Sequence, residues 1–376
     1  VAFYFLFCFT SGLYSTADSY GYRSNACRTA CRSVGGTIIG LSLLYVLLEA
    51  AFKKISGRKA AWAFLLISST LLSMWGFQHA LNLEIGHHDS SALGNGNHWT
   101  VVYEIYSTGE IPAANPNNQF YQPKLYHFVI ASLTHFNRLF IRFGDDPIAS
   151  DGKFPAYDIS TYHAMEFTRV YMILLGIASF YAIYRIYRGL GISDKKVGIC
   201  TAITVMIPEF WYIQFMFNND GMALTLSLIA FALALEFKRK ENILPLLFSA
   251  SSLGLAMMCK INSALMAIPI AVVFVYVLVR NIKQRQWKST LFLVAKFAAF
   301  AVIVFPLGLY VPISYKIKYD LPIGYVLDLT PTLERKKAYF MYIDPEFYNF
   351  FERCLRFPSE DLFYSPFNIR GRNKVD

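Results

Sequence analysis

A polar stretch at residues 86–112, GHHDSSALGNGNHWTVVYEIYSTGEIP, stands in a chain that is 55% hydrophobic. It carries His87, His88, Asp89 and His98. A carboxylate beside imidazoles can act as a general base that takes the proton from a hydroxyl group. Side chains of these types can also bind zinc, but two adjacent histidines do not point the same way on a helix. The histidines are equally consistent with an exposed loop that tolerates polar residues.

Two charged residues interrupt apolar sequence later in the chain. Lys260 stands in GLAMMCKINSALMAIPIA, and a lysine at membrane depth is costly and by default marks a functional site. Its compact ammonium suits a phosphate group, and the alternative is a side chain that snorkels to the interface. Asp220 follows Asn218 and Asn219, and it is either a functional residue or the N-cap of a helix that begins at Gly221.

The elements that must position these groups are membrane helices. Several apolar windows reach or approach the roughly 20 residues that a helix needs to cross about 30 Å of hydrocarbon. They lie at 34–52, 60–83, 170–183, 197–217, 221–237, 243–259, 263–279 and 290–313. The sequence therefore predicts an all-α fold, a polytopic bundle of transmembrane helices in a lipid bilayer.

The formal net charge of +10 is distributed in a way that argues against a nucleic-acid partner. Basic residues cluster in short segments between apolar windows, at 53–59, 185–196, 238–240 and 280–288. Such clustering is typical of cytoplasmic loops. Helix parity then places three segments together on the extracytoplasmic face: residues 84–167, which we call the outer loop, and the turns at 217–220 and 259–262.

Within the outer loop, residues 126–143 have the pattern of an amphipathic helix that lies on the membrane surface. Its apolar face carries Phe128, Leu133, Phe136, Leu139 and Phe140. For the whole chain we expect N-terminal membrane segments at 1–59, a transmembrane catalytic core at 60–313 and an extracytoplasmic tail at 314–376. We expect both ends to be cut from a longer protein.

Together these features resemble the polytopic membrane glycosyltransferases of the GT-C type, in particular bacterial relatives of protein O-mannosyltransferases and of the lipid A aminoarabinose transferase. The resemblance covers roughly residues 60–328. It rests on Asp89 behind a membrane helix, TGEIP at 108–112, YQPKLYH at 121–127, FNNDGMALTL at 217–226 and GLAMMCKINSAL at 254–265. The resemblance depends on the order of these motifs and on their common side of the membrane. Lys124 stands where the family usually has a second proline.

The resemblance implies inverting transfer of a sugar from a polyprenyl-phosphate donor to a protein, lipid or polysaccharide acceptor. The active site would lie on the extracytoplasmic side of the plasma (inner) membrane. Asp89 is expected to be the base, with Glu104 as the alternative, and no cofactor is expected, with a divalent metal as the alternative. The expected substrate-binding residues are His87, His88, His98, Glu104, Tyr121, Gln122, Asn219, Asp220 and Lys260.

Two other classes of function compete with this one. A lipid or polysaccharide transporter or flippase should carry ionisable groups near mid-membrane in several helices and should show an internal repeat. Here the charges gather at one face, and the sequence contains no repeat that we detect. The second competitor is a non-catalytic membrane module of a secretion or polymer-assembly complex.

Overall fold

The computed structural model describes residues 35–47, 49–50, 63, 65–74, 98–111, 122–140, 161, 164–165, 167–205, 210, 213–214 and 217–319. Within these ranges all regular secondary structure is helical and there is no strand. The predicted all-α class is confirmed.

The described helices follow one another along the chain in this order. The first are α1 at Gly35–Leu47, α2 at Leu65–Met74, α3 at His98–Thr108 and α4 at Leu125–Phe140. A 3₁₀ turn at Thr168–Tyr171 precedes α5 at Met172–Gly189, α6 at Asp194–Val205, α7 at Asp220–Lys240 and α8 at Ile243–Cys259. A second 3₁₀ turn at Ile261–Met266 leads into α9 at Ala267–Lys283, and α10 is Trp287–Tyr319.

Four helical stretches are long and apolar enough to cross a membrane: Thr168–Gly189, Asp220–Lys240, Ile261–Lys283 and Trp287–Lys318. The predicted windows at 170–183, 221–237, 263–279 and 290–313 lie within them. The window at 243–259 coincides with α8, a shorter apolar helix of 17 residues. The window at 197–217 overlaps α6, and most of its second half lies outside the described residues.

The bundle is held by close helix packing around two large groups of buried apolar side chains and a small third one, formed by Ile186, Leu235 and Val273. One large group joins α3, α4 and α5 to Phe217 and Cys259. The other large group lies between α7, α8, α9 and α10. α8 approaches α10 so closely that a Cβ added to Gly254 would lie 2.6 Å from the Cβ of Leu307. Apolar side chains on the outward faces of α9 and α10 are exposed, as lipid-facing helices require.

The predicted amphipathic helix is confirmed as α4, and its apolar face is the exposed one. The exposed large side chains on α4 are Phe128, Phe136, Leu139 and Phe140. The buried face carries His127, Thr134 and Asn137 beside the apolar side chains of Tyr126, Ile130 and Ala131. Asn137 donates from Nδ2 to the Ala164 carbonyl at 3.2 Å and accepts from the Tyr171 hydroxyl at 2.8 Å. These bonds fasten α4 to the start of the span that contains α5.

The two ends of the bundle differ in charge. At one end, which we call the basic end, α5, α7 and α9 finish in arginine and lysine residues. Ion pairs at this end join Arg185 to Glu236 at 2.6 Å, Lys240 to Glu236 at 2.7 Å and Arg280 to Glu241. The opposite end, which we call the site end, contains the start of α7 and the break between α8 and the second 3₁₀ turn.

Candidate functional site

Asp220 is the first residue of α7, at the site end of the bundle. The preceding loop prepares the helix start, because the Asn218 side chain accepts a hydrogen bond from the Asp220 N–H at 3.0 Å. The N-cap is Asn219, so Asp220 lies one position later than the N-cap alternative expects. A carboxylate in the first helical turn is stabilised by the positive end of the helix dipole.

Lys260 occupies the break between α8 and the second 3₁₀ turn. Its backbone is extended, with φ −153° and ψ 122°, so the helical path ends there although the Lys260 N–H still donates to the Ala256 carbonyl at 2.9 Å. The ammonium Nζ forms a salt bridge and a hydrogen bond with the Asp220 carboxylate. Both side chains are 29% exposed, so the pair is partly open to its surroundings.

Asn219 connects three segments that are far apart in the sequence. Its Nδ2 donates to Gln122 Oε1 at 2.6 Å and to the backbone carbonyl of Cys259 at 2.8 Å. Gln122 lies just before α4, and Cys259 is the last residue before Lys260. Asn219 is 1% exposed, and its Oδ1 has no hydrogen-bond partner within the described ranges. We call this arrangement of Gln122, Asn219 and Cys259 the amide bridge.

Lys124 is buried directly before α4, with 5% of its surface exposed. Burial lowers the pKa of its ammonium from 10.5 to about 7, and the Glu104 carboxylate on α3 opposes part of that decrease. A lysine in this state loses its proton far more readily than an exposed one. Glu104 itself is half-buried.

His98 and His127 form a buried pair between α3 and α4. Nδ1 of His98 and Nε2 of His127 are 2.8 Å apart, so one ring donates to the other. The rings are nearly parallel, with centroids 5.0 Å apart. The pKa of His127 is well below 6.5 because of burial first and then the positive charges that His98 and Lys124 carry when protonated. His127 Nδ1 is buried without a hydrogen-bond partner in the part of the chain that the structure describes.

The predicted site residues therefore fall into three sets. Gln122, Asn219, Asp220 and Lys260 converge at the site end through the amide bridge and the salt bridge. His98 and Glu104 lie on α3, where His98 is 1% exposed. The remaining predicted residues, His87, His88, Asp89 and Tyr121, lie outside the described residues, and their roles stay predictions, as does the metal alternative.

Neither the burial of Lys124 nor the pairing of His98 with His127 was predicted from the sequence. A signal for His127 exists in the sequence. His127 lies at helical spacing from Ile130, Ala131 and Thr134, and these residues share the buried face of α4. Arg169, which is 1% exposed at the start of the span that contains α5, was also missed. We find no sequence signal for its burial.

Comparison with known proteins finds one family model that matches part of the chain. Residues 163–310 match the family model described as dolichyl-phosphate-mannose-protein mannosyltransferase. This stretch contains both Asp220 and Lys260, along with α5 to α9 and most of α10. The chain is GT-C glycosyltransferase-like. The resemblance stated from the motifs is thereby confirmed. No curated protein and no solved structure matches the chain.

The family match and the apolar helices together indicate the broad class of this GT-C-like chain. It is an integral membrane protein, and the family model that residues 163–310 match implies a membrane glycosyltransferase that uses polyprenyl-phosphate sugar donors. The site end supplies a partly exposed cation, the ammonium of Lys260.

Proposed function

We propose that this GT-C-like chain is an inverting glycosyltransferase that transfers a sugar from a polyprenyl-phosphate donor to an acceptor hydroxyl on the extracytoplasmic face. The observation that carries the proposal is the Asp220–Lys260 salt bridge at the site end. Basic residues concentrate at the opposite end, which supports a cytoplasmic position for the basic end and an extracytoplasmic position for the site end.

The donor's chemistry favours a site at the membrane interface. Its polyprenyl tail stays in the hydrocarbon while its sugar and phosphate reach water, so donor and acceptor meet where the two phases join. Lys260 suits the donor phosphate because an ammonium carries three donors. One N–H can hold the Asp220 carboxylate while the others donate to phosphate oxygens. Asp220 therefore orients the Lys260 ammonium and leaves its other N–H groups available for the donor phosphate.

The proposed reaction is a single displacement at the anomeric carbon. The acceptor hydroxyl oxygen bonds to that carbon from the face opposite the phosphate, and the bond from the carbon to the phosphate oxygen breaks. The electron pair of that bond leaves on the polyprenyl phosphate, whose negative charge Lys260 stabilises. The hydroxyl proton passes to a base, which we assign to Asp89 with Glu104 as the alternative.

The other predicted residues complete the proposed pocket. His87, His88 and Tyr121 would line it from the outer loop. Gln122 and Asn219 would lie at its wall through the amide bridge, and His98 would support the wall from α3. The assay below identifies the sugar that is transferred and the class of acceptor that receives it, whether protein, lipid or polysaccharide.

The test uses membranes that contain the protein and a set of radiolabelled polyprenyl-phosphate sugars. Transfer is measured as label that leaves the donor lipid, resolved by thin-layer chromatography and gel electrophoresis. We expect Asp89→Asn to abolish transfer and Lys260→Ala to lower it by about a hundredfold or more, since loss of one stabilising group at a developing charge has effects of that size. Lys283→Ala, an exposed lysine at the basic end, is the matched control and should leave transfer unchanged.

Folded protein is quantified in the same membranes, so that loss of activity is separated from loss of protein. Full transfer by either Asp89→Asn or Lys260→Ala overturns the residue assignment. If the donor lipid crosses the membrane with its sugar still attached and no sugar is transferred, the glycosyltransferase proposal is wrong and a flippase is favoured.

A further inference from the structure

Asn219 occupies a position from which it can influence Lys260 through the backbone. The carbonyl that Asn219 holds belongs to Cys259, and the next residue along the chain is Lys260. The peptide between Cys259 and Lys260 is held from both sides: its N–H donates to the Ala256 carbonyl at 2.9 Å, and its carbonyl accepts from Asn219 at 2.8 Å. Because the backbone of Lys260 itself is extended and leaves the helical path, the plane of this peptide sets where the Lys260 side chain leaves the backbone, and Asn219 supplies the hydrogen bond that comes from outside α8.

The second bond of Asn219 extends this control to the outer loop. Gln122 accepts the other amide hydrogen, so both N–H groups of Asn219 are used within the protein. Gln122 immediately precedes Pro123, the buried Lys124 and helix α4, whose large apolar side chains are exposed. The position of α4 is thus linked to the peptide plane before Lys260 through a single buried side chain.

We propose that Asn219 is a positioning residue that holds Lys260 and the outer loop in the geometry that binds the donor phosphate. This inference rests on the proposed function, because it takes Lys260 as the phosphate-binding group. Asn219 acts through Lys260 and Gln122, and its two amide hydrogens are not available to a substrate. The Asn219 side chain is buried, so water does not compete for its hydrogen bonds.

The inference is tested by binding of a polyprenyl phosphate that carries no sugar to purified full-length protein in nanodiscs. Four proteins are compared: the wild type, Asn219→Ala, Lys260→Ala and the double variant. Loss of a buried hydrogen-bonding group is expected to weaken binding about tenfold in Asn219→Ala. In the Lys260→Ala background the same substitution should weaken binding by less than about twofold, because the group that Asn219 positions is gone.

Ser249→Ala is the matched control for general destabilisation. Ser249 is fully buried in α8 and donates to the Ala230 carbonyl at 2.7 Å, so its loss also removes a buried hydrogen bond. It should lower the melting temperature and leave the dissociation constant for polyprenyl phosphate unchanged. The kinetic counterpart is a raised KM for the donor lipid in Asn219→Ala, with an unchanged KM for the acceptor.

The results separate this inference from the proposed function. If the wild type binds polyprenyl phosphate and Lys260→Ala weakens binding, the function is supported. An effect of Asn219→Ala that is absent, or equally large with and without Lys260, then overturns the positioning role. If Lys260→Ala binds as tightly as the wild type, the phosphate assignment fails, and the inference fails with it.

Discussion

Replacement of Lys124 by methionine should stabilise the folded protein at neutral pH. Lys124 is 5% exposed, and its burial lowers the pKa of the ammonium to about 7. Methionine is similar in length and can fill the same space without a charge. The substitution also removes the attraction to Glu104, which opposes the effect of burial but does not overcome it.

The magnitude follows from the displaced pKa. At about 1.4 kcal/mol per pH unit, the difference between 10.5 and about 7 corresponds to about 5 kcal/mol of unfavourable free energy near pH 7. The substitution does not recover all of this free energy, because the Glu104 carboxylate loses its attraction to the Lys124 ammonium. We therefore expect a net gain of a few kcal/mol, seen as a rise in Tm of at least about 5 °C.

The pH dependence separates this cause from a general packing effect. Between the folded pKa of about 7 and the unfolded value of 10.5, the unfolded chain binds more protons at Lys124. The stability of the wild type therefore rises with pH across that interval, whereas Lys124→Met lacks this contribution. The difference in Tm between variant and wild type should shrink as pH increases from 7 to 10.

The assay is thermal unfolding in detergent, followed by tryptophan fluorescence at pH 7, 8.5 and 10. Lys283→Met, an exposed lysine at the basic end, is the control and should leave Tm unchanged. A lower Tm for Lys124→Met than for the wild type at pH 7, or a Tm difference that does not shrink as pH rises, would show that the buried charge of Lys124 does not destabilise the fold.

Three further substitutions test the packing of the site end and its titration. Gly221→Ala should destabilise by about 1–3 kcal/mol, because its Cβ would lie 2.7 Å from the backbone carbonyl oxygen of Gln214. Gly308→Ala should have a smaller effect on Tm, since its Cβ would meet the flexible side chain of Met257; equal effects would contradict this comparison. His127 has a lowered folded pKa, so wild-type Tm should fall as pH drops below about 6.5, where the unfolded chain binds more protons. His127→Gln should reduce that fall, and an unchanged slope would argue against the buried pair as its source.

The membrane helices were predictable because lipid imposes a length on apolar sequence. The window at 243–259 coincides with α8, and the turn predicted at 259–262 is where the Lys260 backbone becomes extended. The amphipathic helix was likewise recognisable from its period, and α4 begins one residue before the predicted start. These features depend on local composition and spacing, which the sequence contains directly.

The polar contacts of the site were not predictable in the same way. Asn219 and Gln122 are 97 positions apart, and their bond depends on how α4 packs against the bundle. The buried pair of His98 and His127 depends on the packing of α3 on α4. No periodic pattern specifies which polar groups meet at helix ends. The sequence could propose Asp220 and Lys260 individually, while their salt bridge emerged only from the fold.

The proposed mechanism requires Asp89 and Lys260 to serve one cavity at the site end. A cryo-EM structure of the full chain in nanodiscs with bound polyprenyl phosphate tests this requirement. We expect phosphate density about 3 Å from Lys260 Nζ, with the Asp89 carboxylate facing the same cavity from the outer loop. Phosphate bound among the arginines and lysines of the basic end, or Asp89 and Lys260 separated by packed protein, would contradict it.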